Sequence, residues 1–156
     1  MRNLQDRILL KNKHLNTFEV ILVLLAEIIY PSPERIIEYN LLALELIKVK
    51  KADSAKVLSM SKIREIIEEC ENNEGNVYDK SVVLLKGLIQ KHPFASGNRR
   101  TAFIAAKNFV LRNKSKFGIK DDPHYAKVMQ GIREHYYSDD EIKEWIKHGK
   151  IREFTR

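Results

Sequence analysis

The residues from His92 to Arg100 form the clearest set of chemically active groups in the chain. They read His-Pro-Phe-Ala-Ser-Gly-Asn-Arg-Arg and lie directly before an apolar segment. A histidine takes up a proton near neutral pH, backbone N–H groups at a turn entering a helix bind anions, and arginine pairs with phosphate oxygens. This combination is suited to moving a phosphate-containing group onto a hydroxyl.

Each polar residue of this segment has an expected role. His92 is the candidate general base, because an ordinary histidine pKa of ~6.5 lets it accept a hydroxyl proton. Gly97 and Asn98 form a candidate turn whose N–H groups bind an anion at the positive end of the following helix. Arg99 and Arg100 diverge by about 100° on a helix, so only one can point inward, and we expect it to be Arg100.

Composition sets limits on the architecture. With 156 residues and 44% hydrophobic content, the chain is expected to form a single domain over residues 1–156. The lone Cys70 excludes an internal disulfide, so a reducing compartment, the cytoplasm, is expected. The most hydrophobic stretch, residues 20–26, is flanked by Glu19 and Glu27, which argues against a membrane span or a signal peptide.

Positive charge is concentrated around the His92 segment. From Lys80 to Lys120 the chain has ten Lys or Arg residues and no Asp or Glu, whereas the net charge of the whole chain is only +7. This distribution favours an anionic ligand, either a nucleotide or a nucleic acid. A solvated basic surface is the alternative for such a run taken alone.

Helical periodicity throughout the chain predicts an all-α fold. Capping patterns predict helix starts at Asn16 or Thr17, at Ser32 and at Ser138. The first of these helices is expected to run through Ile29. The second should fade in the charged stretch 48–53.

The helices around His92 are expected to form the centre of the bundle. Before it, apolar residues at helical spacing predict a helix that ends at His92, because Pro93 cannot continue it; these are Val82, Leu85, Leu88 and Ile89. After Asn98, a run with almost no polar face predicts a buried central helix; it comprises Ala102, Phe103, Ile104, Ala105, Ala106, Phe109, Val110 and Leu111. Residues 61–70 predict an amphipathic helix, and residues 55–60 suit a short extended piece.

Several conspicuous residues are expected to be structural. Phe94 is expected to anchor the segment in the core, and Cys70 and the pair Tyr136-Tyr137 are expected to pack. The histidines outside the segment lack metal-ligand spacing, so surface positions are expected for them; they are His14, His124, His135 and His148.

The pattern His92-x-Phe94-x-x-Gly97-Asn98-x-Arg100 resembles the signature of the Fic/Doc (Fido) superfamily, HxFx(D/E)(G/A)N(G/K)R. The resemblance extends in pattern over a core region of about 78–113. It implies a helical bundle around a buried central helix, with a small β-flap that docks the target segment. Members transfer AMP, or in the Doc branch the terminal phosphate, from ATP or another nucleotide to a protein hydroxyl. By position, it gives His92, the Gly-Asn turn and Arg100 the roles stated above.

Two departures from that signature favour the Doc branch and hence phosphate transfer. The AMP-transferring branch has glycine before the signature arginine and a second arginine three residues after it. This chain has Arg99 and Phe103 at those positions. Doc-like members have lysine and an apolar residue there.

Ser96 is a third departure, because the family has an acidic residue there that holds Mg²⁺ between nucleotide phosphates. A serine hydroxyl is a much weaker ligand, so Mg²⁺ is expected to arrive with the nucleotide or to meet Ser96 through a water. This substitution also supports an alternative, a catalytically degenerate Fic-like module that binds nucleotide or protein.

The expected partners follow from the same resemblance. The target is a protein with an acceptor Ser, Thr or Tyr hydroxyl. The chain lacks the [S/T]xxxE[G/N] inhibitory motif, so restraint is expected from a separate antitoxin-like protein, as for the toxin of a toxin–antitoxin pair. A basic helical nucleic-acid-binding protein is the other alternative; it explains the charge but not His92-x-Phe94.

Overall fold

The computed structural model describes residues 16–25, 27–46 and 55–155, and these residues form seven α-helices. The helices are α1 (Thr17–Leu25), α2 (Pro33–Leu46), α3 (Met60–Asn72), α4 (Val77–Gln90), α5 (Asn98–Arg112), α6 (His124–Arg133) and α7 (Asp139–His148). The described ranges contain no β-strand, only an isolated antiparallel bridge between Val57 and Phe94. The predicted all-α fold is therefore confirmed, and residues 55–60 do include an extended piece.

Helices α4 and α5 form the centre of the bundle. They pack against each other, while α3, α6 and α7 pack on α4 and α2 packs on α5. Most of α5 is buried, as predicted for the central helix: Thr101, Ala102, Phe103, Ala105, Ala106, Phe109 and Val110. Leu111 differs, being 51% exposed, because it lies in the last turn where the helix leaves the core. Burial of apolar surface along these two helices is the main stabilising contribution.

The predicted helix starts are confirmed by side-chain caps. Asn16 and Glu19 exchange hydrogen bonds with each other's backbone N–H groups at 2.9 Å. The Ser32 hydroxyl accepts from the N–H three residues later at 3.1 Å. Ser138 and Glu141 form a reciprocal capping box before α7. Each cap satisfies a backbone donor that the first helical turn leaves without a partner.

The predicted end of the first helix at Ile29 is wrong, because α1 ends at Leu25. Asn113, just after α5, binds both the N–H and the carbonyl of the Ile29 backbone. Its Oδ1 accepts from the Ile29 N–H at 2.7 Å, and its Nδ2 donates to the Ile29 carbonyl at 3.0 Å. These bonds replace the ones that a continued helix would have made. The predicted fading of the second helix at 48–53 lies outside the described residues.

Lys80 is buried and has a structural role that its place in the basic run did not suggest. It is 5% exposed, and its ammonium group donates to the carbonyls of Cys70 and Glu71, each at 3.2 Å, and to that of Asn73. These carbonyls lie at the C-terminal end of α3, where a cation is favourable. Cys70 is fully buried, as expected for a packing residue.

Two more cations of the basic run pair with carboxylates on neighbouring helices. Lys86 contacts Asp139 at 2.5 Å, and Lys91 contacts Glu65 at 3.0 Å and Glu69 at 2.7 Å. The run therefore does not act as one anion-binding surface; part of its charge joins α4 to α3 and α7. None of the helices in the described ranges is long and apolar enough to cross a membrane.

Candidate active site

His92 lies just beyond the end of α4, in an unusual backbone conformation. Its φ is +48°, in the left-handed region that residues with a side chain seldom adopt. Helix α4 ends at Gln90, and Pro93 prevents its continuation. The predicted position at a helix exit is confirmed. Conformations of this kind cost about 1–3 kcal/mol and tend to occur at functional sites.

An extended segment lies alongside the residues that follow His92. The Pro93 carbonyl accepts from the N–H groups of Leu58 at 2.8 Å and Ser59 at 3.2 Å, and the Ala95 N–H donates to the Lys56 carbonyl at 2.9 Å. The backbone after His92 is thereby paired on one side. This short extended segment leads directly into α3. It forms only one isolated bridge, so the described residues do not contain the small β-flap that the resemblance implied.

Asn98 closes the loop that follows. Its Oδ1 accepts from the Phe94 N–H at 3.0 Å, and its Nδ2 donates to the Phe94 carbonyl at 2.9 Å. The Phe94 side chain is 1% exposed, which confirms it as a core anchor. The loop is therefore fixed at its start by a buried ring and at its end by an amide.

Gly97 forms the turn into α5. Its φ is +76°, a conformation that glycine adopts without the usual steric cost. A Cβ atom added there would lie 3.1 Å from Leu44 Cδ2 and 3.2 Å from Asn40 Nδ2, both on α2. The turn thus needs glycine for its conformation and for its close approach to α2.

The first turn of α5 presents backbone donors without a capping side chain. Gly97, the residue before the helix, supplies no side-chain cap. Within the described part of the chain, no acceptor is found for the N–H groups of Gly97, Asn98 or Arg99. Such donors at the positive end of a helix favour an anion.

The two arginines diverge as expected. Arg99 is exposed, whereas Arg100 is half-buried and its Nη1 approaches the Ala43 carbonyl of α2 at 3.5 Å. Arg100 therefore lies on the side of α5 that faces α2. Its role toward a phosphate remains a prediction.

The surroundings of the His92 imidazole favour its neutral form. Burial lowers its pKa below the ordinary value of 6.5, and the positive charges of Arg133 and Lys62 lower it further. Its Nδ1 atom is buried and has no hydrogen-bond partner among the described residues. A neutral imidazole can accept a proton, as a general base must. Because Nδ1 is buried, the nitrogen that meets a substrate hydroxyl would have to be Nε2.

The donor groups of the site do not fit a magnesium ion held by the protein. Mg²⁺ prefers carboxylate oxygens, and Ser96 offers only a hydroxyl. Among the described residues, no three His, Cys, Asp or Glu side chains gather as a metal site.

The other described histidines lie at the surface, and the tyrosine pair packs, as expected. His124, His135 and His148 are exposed, and His14 lies outside the described residues. Tyr136 and Tyr137 pack edge to face with ring centres 5.0 Å apart, and the Arg152 guanidinium lies 3.9 Å from the Tyr136 ring centre. The prediction that the tyrosine pair is structural is confirmed.

Three residues near the segment were not identified from the sequence. Lys62 on α3 and Arg133 on α6 lie close enough to His92 for their charges to lower its pKa. Nothing in the sequence near His92 indicates this. Asn40 did carry a signal, because it lies on the apolar face of α2, four residues from Ile36 and four from Leu44, both of which are buried. A polar residue on such a face usually has a buried hydrogen-bond partner.

Comparison with known proteins supports the resemblance. A model of the Fic/DOC family matches residues 25–110, which is more than half of the chain. The matched range includes α2, α3 and α4 and most of α5, and it begins well before the region of about 78–113 that the signature itself suggested. A search of curated proteins gives no significant match. With a matching family model and an all-helical bundle that places the signature between α4 and α5, the chain belongs to the Fic/DOC family.

Proposed function

We propose that this protein is a transferase that moves a phosphate or an AMP group from ATP or another nucleotide to a Ser, Thr or Tyr hydroxyl of a target protein. Members of the Fic/DOC family typically act as transferases on proteins and use nucleotides as substrates. The observation that carries the proposal is that one short loop has a candidate base at its start and candidate anion-binding groups at its end. The imidazole of His92, whose pKa is lowered, lies at its start. At its end lie N–H groups that have no acceptor among the described residues, those of Gly97, Asn98 and Arg99.

The residues have distinct roles in this reaction. His92 accepts the proton of the target hydroxyl as the hydroxyl oxygen attacks a nucleotide phosphorus atom. The bond from that phosphorus to its bridging oxygen breaks, so ADP leaves when the terminal phosphate of ATP is transferred and pyrophosphate leaves when AMP is transferred. The N–H groups of Gly97 and Asn98 bind the phosphate oxygens, on which negative charge increases in the transition state. Arg100 binds the nucleotide phosphates from the side of α2, and the side chain of Arg99 is exposed beside them. A magnesium ion that arrives with the nucleotide would meet Ser96 directly or through a water.

Transfer of the terminal phosphate, as in the Doc branch, is the favoured form of the reaction. Phe103 occupies the position of the second arginine of AMP-transferring members, and it is 9% exposed. It stacks on Tyr125 with ring centres 4.9 Å apart and meets Phe117 edge to face at 5.6 Å. An aromatic ring packed in this way offers no charge to a phosphate. Arg99 supplies a cation where those members have glycine.

A transfer assay with ATP labelled at either the α or the γ phosphate tests this proposal. The protein is incubated with each ATP, Mg²⁺ and a lysate of the source cells, and labelled proteins are resolved. Label from γ-labelled ATP alone, lost in His92→Ala, is expected. Label from α-labelled ATP would identify AMP transfer instead. The absence of label from both, with His92→Ala identical to wild type, would contradict the enzymatic function.

A second candidate is a Fic-like protein that binds nucleotide or protein without catalysis. The observation that favours it is Ser96, which leaves the site without its acidic residue. ATP binding that is unchanged in His92→Ala, without any label transfer, would support this candidate. A nucleic-acid-binding function is less well supported, because Lys80, Lys86 and Lys91 are engaged within the fold.

The proposed partners are the target protein and an antitoxin-like inhibitor. Fic/DOC proteins act on protein targets and often pair with antitoxins. Co-expression of a neighbouring gene that relieves growth arrest would identify such an inhibitor. The cytoplasm is the proposed location of both.

A further inference from the structure

The peptide group between Ser96 and Gly97 is held by a side chain of α2. Asn40 is 2% exposed, and its Nδ2 donates to the Ser96 carbonyl at 2.9 Å and to Thr101 Oγ1 at 3.0 Å. The amide nitrogen carries two hydrogens, so it can make both bonds. Asn40 therefore joins α2, the loop and the first turn of α5 at one buried point.

These bonds determine which way the next N–H group points. All described peptide bonds are trans, and in a trans peptide the C=O and N–H groups point in opposite directions. The Ser96 carbonyl faces Asn40 on α2, so the Gly97 N–H points away from α2. That N–H group has no acceptor within the described residues.

Glycine alone does not determine this orientation. A peptide next to glycine rotates more easily than others, because glycine adopts both signs of φ with little cost. In the opposite orientation, the Ser96 carbonyl oxygen would take the place of the Gly97 N–H group. A carbonyl oxygen there would repel a phosphate. Some interaction outside the loop must therefore select the orientation that binds anions.

We propose that Asn40 is a positioning residue that selects this orientation and so presents the Gly97 N–H to a nucleotide phosphate. This inference rests on the proposed function. Asn40 acts through the Ser96 carbonyl and does not itself touch the nucleotide. Removal of its Nδ2 donor takes away the bond that holds that carbonyl toward α2, so the Ser96–Gly97 peptide rotates more easily.

The test is a titration of ¹⁵N-labelled protein with ATP, followed through the Gly97 amide resonance. Asn40→Leu has a similar shape and no donor. Thr101→Val is the matched control, because it removes the other acceptor of Asn40 and keeps the bond to Ser96. In wild type and Thr101→Val, the Gly97 resonance is expected to shift saturably with ATP. In Asn40→Leu this response is lost, and the ATP dissociation constant rises about 10-fold to 100-fold.

Asn40→Asp keeps the test decisive if Asn40→Leu does not fold. At pH 8, which favours ionisation of this buried carboxyl group, its carboxylate offers acceptors in place of the donor, so it attracts the Gly97 N–H and repels the Ser96 carbonyl. The Gly97 resonance should then differ from wild type before ATP is added and should no longer respond to it. A wild-type response to ATP in either Asn40 variant would overturn the inference, and so would the lack of any response in wild type.

Label transfer separates this inference from the proposed function. If wild type transfers no label but its Gly97 resonance responds to ATP and that response is lost in Asn40→Leu, the transferase proposal fails and the role of Asn40 stands. If Asn40→Leu transfers label with the wild-type KM for ATP, the role of Asn40 fails and the transferase proposal stands. A rise in KM with little change in kcat is the expected result.

Discussion

Asn98 binds both backbone polar groups of Phe94, accepting from its N–H at 3.0 Å and donating to its carbonyl at 2.9 Å. One amide side chain thus takes the place of two backbone partners and closes the loop between α4 and α5. The loop keeps its shape although it contains no regular secondary structure. The Gly-Asn pair of the signature therefore has a conformational role in addition to the anion-binding role proposed for it.

Replacement of Asn98 should destabilise the protein. Asn98→Ala leaves the Phe94 N–H and carbonyl without partners, so the free energy of unfolding should fall by about 1–3 kcal/mol. Urea denaturation followed by circular dichroism measures this loss. Asn98→Asp keeps the acceptor for the Phe94 N–H but turns its other oxygen toward the Phe94 carbonyl, so it should also be less stable than wild type. Equal stability of wild type and Asn98→Ala would show that the two hydrogen bonds contribute nothing.

Transfer should depend on pH through His92. Burial and the charges of Arg133 and Lys62 lower its pKa, so the neutral base predominates at pH 7 and kcat/KM should be flat there. The rate should fall only at a pH below ~6.5, the ordinary histidine pKa. Arg133→Gln removes one of these charges and should move the fall in rate to higher pH. Lys150→Gln is the control, because it removes an exposed charge that does not act on His92, and it should leave the profile unchanged. Unchanged pH profiles in both variants would contradict the assignment of the pH dependence to His92.

The same lowered pKa affects folding stability. Between the folded-state pKa of His92 and its unfolded value of ~6.5, the unfolded chain binds more protons than the folded one. His92 therefore makes the protein less stable as pH falls through this window, and His92→Gln should remove that contribution. Urea midpoints measured from pH 7 to pH 5 test this. Parallel curves for wild type and His92→Gln would be inconsistent with a lowered pKa.

Lys80 should contribute more to stability than a lysine at the surface. Lys80→Met leaves the carbonyls at the end of α3 without a donor, and the free energy of unfolding should fall by about 2–4 kcal/mol. Lys86→Met removes a partly exposed ion pair with Asp139, and should cost less than about 1 kcal/mol. Urea denaturation of the two variants compares them directly. Similar losses would mean that burial of Lys80 has no special effect.

Cys70 provides an independent probe of unfolding. Burial raises the pKa of its thiol to about 12, so it should not react with iodoacetamide in the folded protein at pH 8. Labelling should begin only at urea concentrations that unfold the chain. Rapid labelling without urea would show that the region between α3 and α4 opens locally.

Ser96→Asp should make nucleotide binding depend on Mg²⁺. The substitution places a carboxylate where the Fic/Doc signature has an acidic residue, and carboxylate oxygens are preferred magnesium ligands. The affinity of this variant for ATP, measured by calorimetry, should increase on adding Mg²⁺ by more than that of wild type. Ser96→Asn is the neutral control. The same Mg²⁺ dependence in all three proteins would argue against a metal contact at this position.

Most helices could be predicted from local sequence, because apolar spacing and capping pairs such as Ser138 and Glu141 are encoded within a few residues. The end of α1 could not, because Asn113 lies 84 positions beyond the Ile29 backbone that it binds. The signature at His92 was also visible locally. Asn40 was not recognised, because its contact with Ser96 joins residues 56 positions apart. The count of charges in the basic run suggested that Lys80 helps to bind an anion. This was misleading, because the number of lysines in a segment does not indicate which of them are buried.

The loop that follows His92 also indicates where related proteins are free to diverge. Ala95 is exposed and uses only its backbone N–H. Many residue types satisfy those demands. Phe94 and Asn98 meet requirements that few other side chains meet. Among homologues, variation should therefore be greater at the position of Ala95, while the ring and the amide that set the shape of the loop persist even in lineages that lose the chemistry.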